Sequence, residues 1–265
     1  QESCGIHGEW HEPEEYRNRY FRATSCKPNR PGRHPKGEIN TRGFLKMSFN
    51  TVQRAGLALT VLLFSLPAAA SINKSIRIEA GTTADGASSV NGSVTVESGA
   101  IVTGSVNTVN GTVRIEDNAQ VADGDTVNGG LRVGSNVQAG SLNTVNGSIR
   151  VGDNTTVGGG VEAVNGKIEI GRGSRVEFGV ENVNGSIELD GSEVGGYIKT
   201  FKVYVDLTDG AVLRGDLVIE KPGGWGLKDN KKRKPRITIG PGSIIEGNID
   251  LEREVELYIS ESAQV

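Results

Sequence analysis

After Lys46 the chain contains neither histidine nor cysteine. That excludes Ser-His-Asp and Cys-His nucleophilic chemistry from the remaining residues, together with the usual zinc sites and any disulfide. Aromatic residues make up only 5% of the chain. A sugar-stacking groove would have to draw on Phe178, Phe201, Tyr197, Tyr204, Tyr258 and Trp225. The longest apolar run, Ala55–Leu66, is shorter than the roughly 20 residues a membrane-spanning helix needs. A broad basic face is missing too. From Ser71 to Val265 there are 19 Lys and Arg against 26 Asp and Glu. An acidic body of this kind excludes general nucleic-acid binding. No cofactor or metal site is expected.

What the chain does have is a repeat. The triplet Val-Asn-Gly starts at Val90, Val109, Val127, Val145, Val164 and Val183, so that successive copies are spaced 19, 18, 18, 19 and 19 apart. A fixed period of roughly 20 residues is the signature of a solenoid. Counted from Val90, Val145 and Val164, apolar residues recur at offsets 0, 4, 6, 12 and 16, as in Val145, Ile149, Val151, Val157 and Val161. The pair at offsets 4 and 6 alternates with period two, which is a strand rhythm and not a helical one. Gly and Asn separate the strands, and both tolerate left-handed backbone angles. The expected fold is all-β: a single-stranded parallel β-helix of 18–19-residue coils, three short strands to a coil, with right-handed winding favoured. The triplet Val is expected to point into the core. Asn91, Asn110, Asn128, Asn146, Asn165 and Asn184 are expected to stack as a structural amide ladder at one corner.

The rhythm continues past Asn184 through Val203, Val205 and Leu207 to Leu257 and Ile259. It breaks once, at residues 221–235, where "KPGGWGLKDNKKRKP" reads as a loop thrown out from a corner. Lys228, Lys231, Lys232, Arg233, Lys234 and Arg236 give this region a concentrated positive charge, suited to contact with anionic envelope polymers. Neither end of the repeat carries a polar cap. "SINKSIRIEAG" enters directly as strand and "VELYISESAQV" stops in mid-rhythm, so the expectation is either that the natural chain continues past Val265 or that the terminal coils of neighbouring molecules cover each other.

Upstream of the repeat, residues 47–70 read as a secretory signal peptide. Arg54 is the basic flank, Ala55–Leu66 the apolar run, and Ala68–Ala70 the small-residue pattern before cleavage between Ala70 and Ser71. Residues 1–46 differ in composition from everything after them and hold both cysteines and all three histidines. They are expected to be a non-native, disordered upstream extension. The rival reading, a metal module built on Cys4, His7, His11 and Cys26, lacks a recognised zinc spacing.

Two enzymatic readings compete with a structural one. "VGDNTTV" at 151–157 and "IGPGSII" at 239–245 resemble the hexapeptide repeat of left-handed β-helix acyltransferases, but those enzymes use a histidine base. A polysaccharide-acting β-helix would need paired carboxylates across a groove, and Glu116, Asp117, Asp123 and Asp125 sit in coils with almost no long loops to build its walls.

The phrases "GRGSRVEFGVENVNGSIELDGSEVGG" and "IGPGSIIEGNIDLE" resemble those of the bactofilin-like, polymer-forming β-helix proteins of bacteria, over roughly Ile76–Val265. The resemblance implies end-to-end assembly without nucleotide. Bactofilins act in the cytoplasm, whereas an export signal points to the periplasm, cell surface or exterior. The expected function is therefore an exported, self-associating scaffold of the cell envelope, with itself as principal partner. The alternative is an adhesin or a glycan- or lipid-binding module presenting the 221–236 loop.

Overall fold

Ile149, Arg150 and Val151 form the strand Ile149–Val151, in which the two apolar residues are buried and Arg150 stands in solvent. The same pattern recurs coil after coil, and it builds the whole architecture. The computed structural model describes residues 8–11, 20–23, 70–220 and 234–265. Among them there is no helix, and the strands stack in parallel as a β-solenoid of about nine turns, roughly 19 residues each.

Each coil contributes one strand to each of three faces. The first face holds Ile76–Ile78, Val94–Val96, Val113–Ile115, Leu131–Val133 and Ile149–Val151, paired in register from coil to coil. The second face is a nine-stranded sheet of two-residue strands, from Thr83–Ala84 to Ile244–Ile245. The third holds Ala87–Asn91, Val106–Asn110, Gly124–Asn128 and Leu142–Asn146. Further along, third and first faces join into single long strands, Val161–Ile170, Val180–Asp190 and Ile198–Thr208.

The core is a column of stacked Val, Ile and Leu. Residues at offsets 4, 6, 12 and 16 from Val90, Val145 and Val164 are inside it, for example Ile168, Ile170, Val176 and Val180. No single coil closes this column, so neighbours supply the burial. Arg150 and Glu169 meet outside on adjacent coils, as the register of Ile149 with Ile168 requires.

One expectation, that the triplet Val enters the column, fails for five of the six copies. Val90 is 37% exposed, and Val109, Val127, Val145 and Val164 are half-buried; Val183 is buried, at 2% exposure. In Leu142–Asn146 the inward residues are Leu142 and Thr144, so strand alternation turns Val145 outward.

Within residues 1–46, the described strands Gly8–His11 and Tyr20–Ala23 pair antiparallel, and Tyr20–Ala23 adds antiparallel to the last strand, Glu256–Ser260. The outer edge of that strand, expected to be uncovered, therefore carries a partner. Ala70 and Ser71, the expected cleavage site, form the first solenoid strand and pair with Ser88 and Ser89.

Candidate functional site

The corner that follows the third face answers why the triplet repeats. Asn91 Nδ2 donates to Asn73 Oδ1 at 2.8 Å, and Asn110 donates to Asn91 at 2.8 Å. Asn128 donates to Asn110, Asn146 to Asn128 and Asn165 to Asn146, each at 2.9 Å, and Asn184 to Asn165 at 3.0 Å. The ladder thus joins all six triplet asparagines and one more. Asn73 lacks the flanking Val and Gly, but its place one repeat period before Asn91 marks it in the sequence. Beneath the ladder, Thr108, Thr126 and Thr144 face inward and donate to the carbonyls of Gly92, Gly111 and Gly129 in the coil before, at 2.7, 3.1 and 3.0 Å. The triplet glycine is required by closeness. A Cβ on Gly147 would lie 1.9 Å from the Gly129 carbonyl oxygen.

Three of the four carboxylates considered for catalysis, Asp117, Asp123 and Asp125, have structural partners. Asp117 Oδ1 accepts the Ser135 N–H and Asp123 Oδ1 the Ser141 N–H, both at 2.7 Å. Asp125 Oδ1 accepts from Asn143 Nδ2 at 2.8 Å. With its amide turned to satisfy its neighbours, Asn107 donates to Asp125 Oδ2 at 3.0 Å and to the Val106 carbonyl at 3.1 Å. Burial, helped by the nearby Asp123 charge, pushes the Asp125 carboxyl up to about 6, against the pull of the Asn143 hydrogen bond. These acids serve adjacent coils and do not face one another across a groove.

Of the expected basic loop, Lys228, Lys231, Lys232 and Arg233 lie outside the described residues. Lys234 and Arg236 are already engaged. Lys234 Nζ pairs with Glu254 at 3.1 Å, and the Arg236 guanidinium sits 5.6 Å from the centre of the Tyr204 ring. Cys4, His7 and Cys26 also lie outside, and His11 is part of the strand Gly8–His11. Among the described residues no cluster of three or more His, Cys, Asp or Glu could hold a metal ion.

The feature that sequence reasoning missed is the distribution of charge along the coils. In the C-terminal half, cations meet acids on the next coil. Arg172 pairs with Asp190 at 3.1 Å and with Asp209 at 2.5 Å. Glu193 accepts from both Arg175 and Arg214, and Arg214 also reaches Glu246 at 2.7 Å. The Arg214 hydrogen bond leads the causes that hold the Glu193 carboxyl below its usual range, and the Arg150 hydrogen bond does the same for Glu169. In the N-terminal half, Arg114, Arg132 and Arg150 stand directly opposite one another on the first face. Arg150 has Glu169 beyond it, while Arg114 and Arg132 have no ion pair among the described residues. A shallow groove of about 390 Å³ runs over this row, lined by the three arginines with Ser98, Glu116 and Asp117. The signal was present as "TVRIE", "GLRVG" and "SIRVG", each one repeat period after the last.

Compared with protein-family models, with curated proteins and with solved structures, the chain matches none of them.

Proposed function

We propose that the chain is a non-catalytic, exported scaffold of the cell envelope, and that its solenoids associate end to end. The observation that supports this reading is the pairing capacity of the last strand. Glu256–Ser260 already pairs in parallel with Arg236–Ile239 on its inner side, and on its outer side it takes up four residues from far away in the chain. A terminal edge that accepts an intramolecular strand presents the backbone groups another copy would use. At the opposite end, Ile76–Ile78 pairs only with Val94–Val96 among the described residues, and Ile76 remains partly exposed. The two ends are therefore matched in kind: each ends in a strand edge beside an apolar column, and in the full chain Tyr20–Ala23 occupies the edge of Glu256–Ser260.

Export enters through the apolar segment ahead of Ser71, and removal of residues 1–70 would also remove the strand that covers Glu256–Ser260. Sedimentation over a wide concentration range tests the proposal. A chain beginning at Ser71 should form dimers or longer assemblies at lower concentration than the full chain, without nucleotide or metal. Monomers at every concentration, in both chains, would refute it.

A further inference from the structure

We propose that the row Arg114, Arg132 and Arg150 is a binding site for a linear acidic polysaccharide, lying along the solenoid axis with its carboxylates against successive guanidinium groups. This surface is distinct from the 221–236 loop, and the inference stands whether or not the coil ends associate.

The row works against the fold unless something occupies it. Residues directly opposite on neighbouring strands interact strongly, and like charges in that position are destabilising. Elsewhere acid often stands beside base, as in Arg150 with Glu169 and Arg175 with Glu193. Acids also stand opposite acids, Glu162 against Glu181 and Glu169 against Glu188, and Lys167 pairs with both members of the second pair. At Arg114 and Arg132 the chain places base beside base, with both side chains exposed and no ion pair among the described residues. All three residues are arginine, the side chain suited to planar, two-pronged contact with carboxylate.

The neighbouring positions make room for a ligand. Two residues after this register position, the coils of Arg77, Thr95 and Arg114 carry acids: Glu79, Glu97 and Glu116. The coils of Arg132 and Arg150 carry Gly134 and Gly152 there instead, which leaves Glu116, beside Arg114, and Asp117 as the acids lining the groove. A Cβ at Gly134 would fall 2.3 Å from Asp117 Oδ1, so only glycine fits there. Of the acids that line the groove, Asp117 is turned to the Ser135 amide. Ser98 supplies a hydroxyl at the edge.

The geometry selects the polymer. Guanidinium groups on adjacent coils repeat at the strand spacing, about 4.8 Å, so the ligand needs one anionic group at about that interval along a straight chain. Single-stranded nucleic acid would want stacking rings, and no aromatic residue lines the groove. Duplex nucleic acid would bring a broad phosphate surface against the acidic body around it.

The test is fluorescence anisotropy of a labelled linear polyuronate titrated with the full chain at low salt. Dextran serves as the neutral comparison and poly-dT as the nucleic-acid one. The full chain should bind the polyuronate and not dextran, and salt should weaken the complex. Arg114→Gln with Arg132→Gln should weaken binding by about tenfold or more. Arg172→Gln with Arg214→Gln removes the same charge from paired positions and should change binding less than about twofold. Absence of polyuronate binding, equal losses in the two double variants, or tighter binding of poly-dT would each overturn the proposal.

Discussion

Replacing Asp125 by Asn should stabilise the solenoid at neutral pH and leave it unchanged in acid. Asp125 lies between Asn107 and Asn143 on adjacent coils and is largely buried, with its carboxyl raised from 3.8 to about 6. A raised folded-state value means that the folded protein holds this proton more tightly than the unfolded chain. The group's contribution is therefore most favourable below the unfolded value and is lost as pH rises through about 6. The shift corresponds to about 3 kcal/mol against the ionised form. The donor from Asn107 supports the carboxylate and returns about 1 kcal/mol, so a net cost of about 2 kcal/mol is expected at pH 7. Asn at 125 removes the charge and keeps the shape. It can accept from Asn143 and donate to Asn107, in the direction the corner asparagines already use. Urea denaturation at several pH values measures the effect. The two proteins should be equally stable near pH 4, and the variant should pull ahead between pH 4 and about 6 and stay ahead above it. A variant less stable than the parent at pH 7, or a difference that does not change with pH, would refute the reasoning.

The corner and the column make separate predictions. Asn146→Ala breaks the hydrogen bonds to Asn128 and from Asn165 at an exposed site, where water can replace them, so it should cost about 1 kcal/mol in denaturant midpoint analysis. Gly147→Ala must move the backbone of the coil before it and should cost about 2–4 kcal/mol; a Gly147→Ala protein as stable as Asn146→Ala would contradict the close-approach account. Ile168→Asp places an unpaired carboxyl in the column and should cost about 4 kcal/mol or prevent folding. Arg150→Ala touches only an exposed ion pair, so its melting temperature should stay within scatter of the parent, and comparable losses for the two would show the register to be wrong.

The coil, its period and most of its inward residues were legible because a solenoid writes the same pattern many times. Four of the five apolar offsets are buried for that reason. The fifth was misread because hydrophobicity and parity disagree there. Thr144 is polar and Val145 apolar, so counting apolar residues turns Val145 inward. The strand alternates from Leu142, however, and alternation assigns Thr144 to the inside; a slip of one residue reverses every side chain. What makes the polar choice stable is the Gly129 carbonyl, which accepts the Thr144 hydroxyl at 3.0 Å. That partner lies 15 residues back and becomes visible only once the coils are stacked. The Tyr20–Ala23 pairing was illegible for the opposite reason. Tyr20–Ala23 belongs to no repeat, and nothing in its own short sequence announces a partner at Leu257–Ser260.

A fold built by repetition also changes what each residue type is worth. Any side chain that occurs at one offset is laid over its own copies at one strand spacing. A neutral amide gains from this, because it can donate to one copy and accept from the next, and Asn73 to Asn184 does so without a break. An apolar side chain gains as well, since its copies form the column. A charge alone loses, because its nearest neighbour is the same charge. A stacked charge therefore needs an opposite charge within reach. From Arg150 onward most have one: Glu169 and Glu188 stand opposite each other but share Lys167, and Glu193 lies between Arg175 and Arg214. From Arg114 to Arg150 the chain keeps the repeat and accepts the repulsion. Stability gives no reason for that stretch, whereas recognition of a regularly spaced anionic polymer requires just such a row. The place where like charges are stacked without a bridging counter-charge is therefore where binding should be sought, and the ion-paired half is where the scaffold is held together.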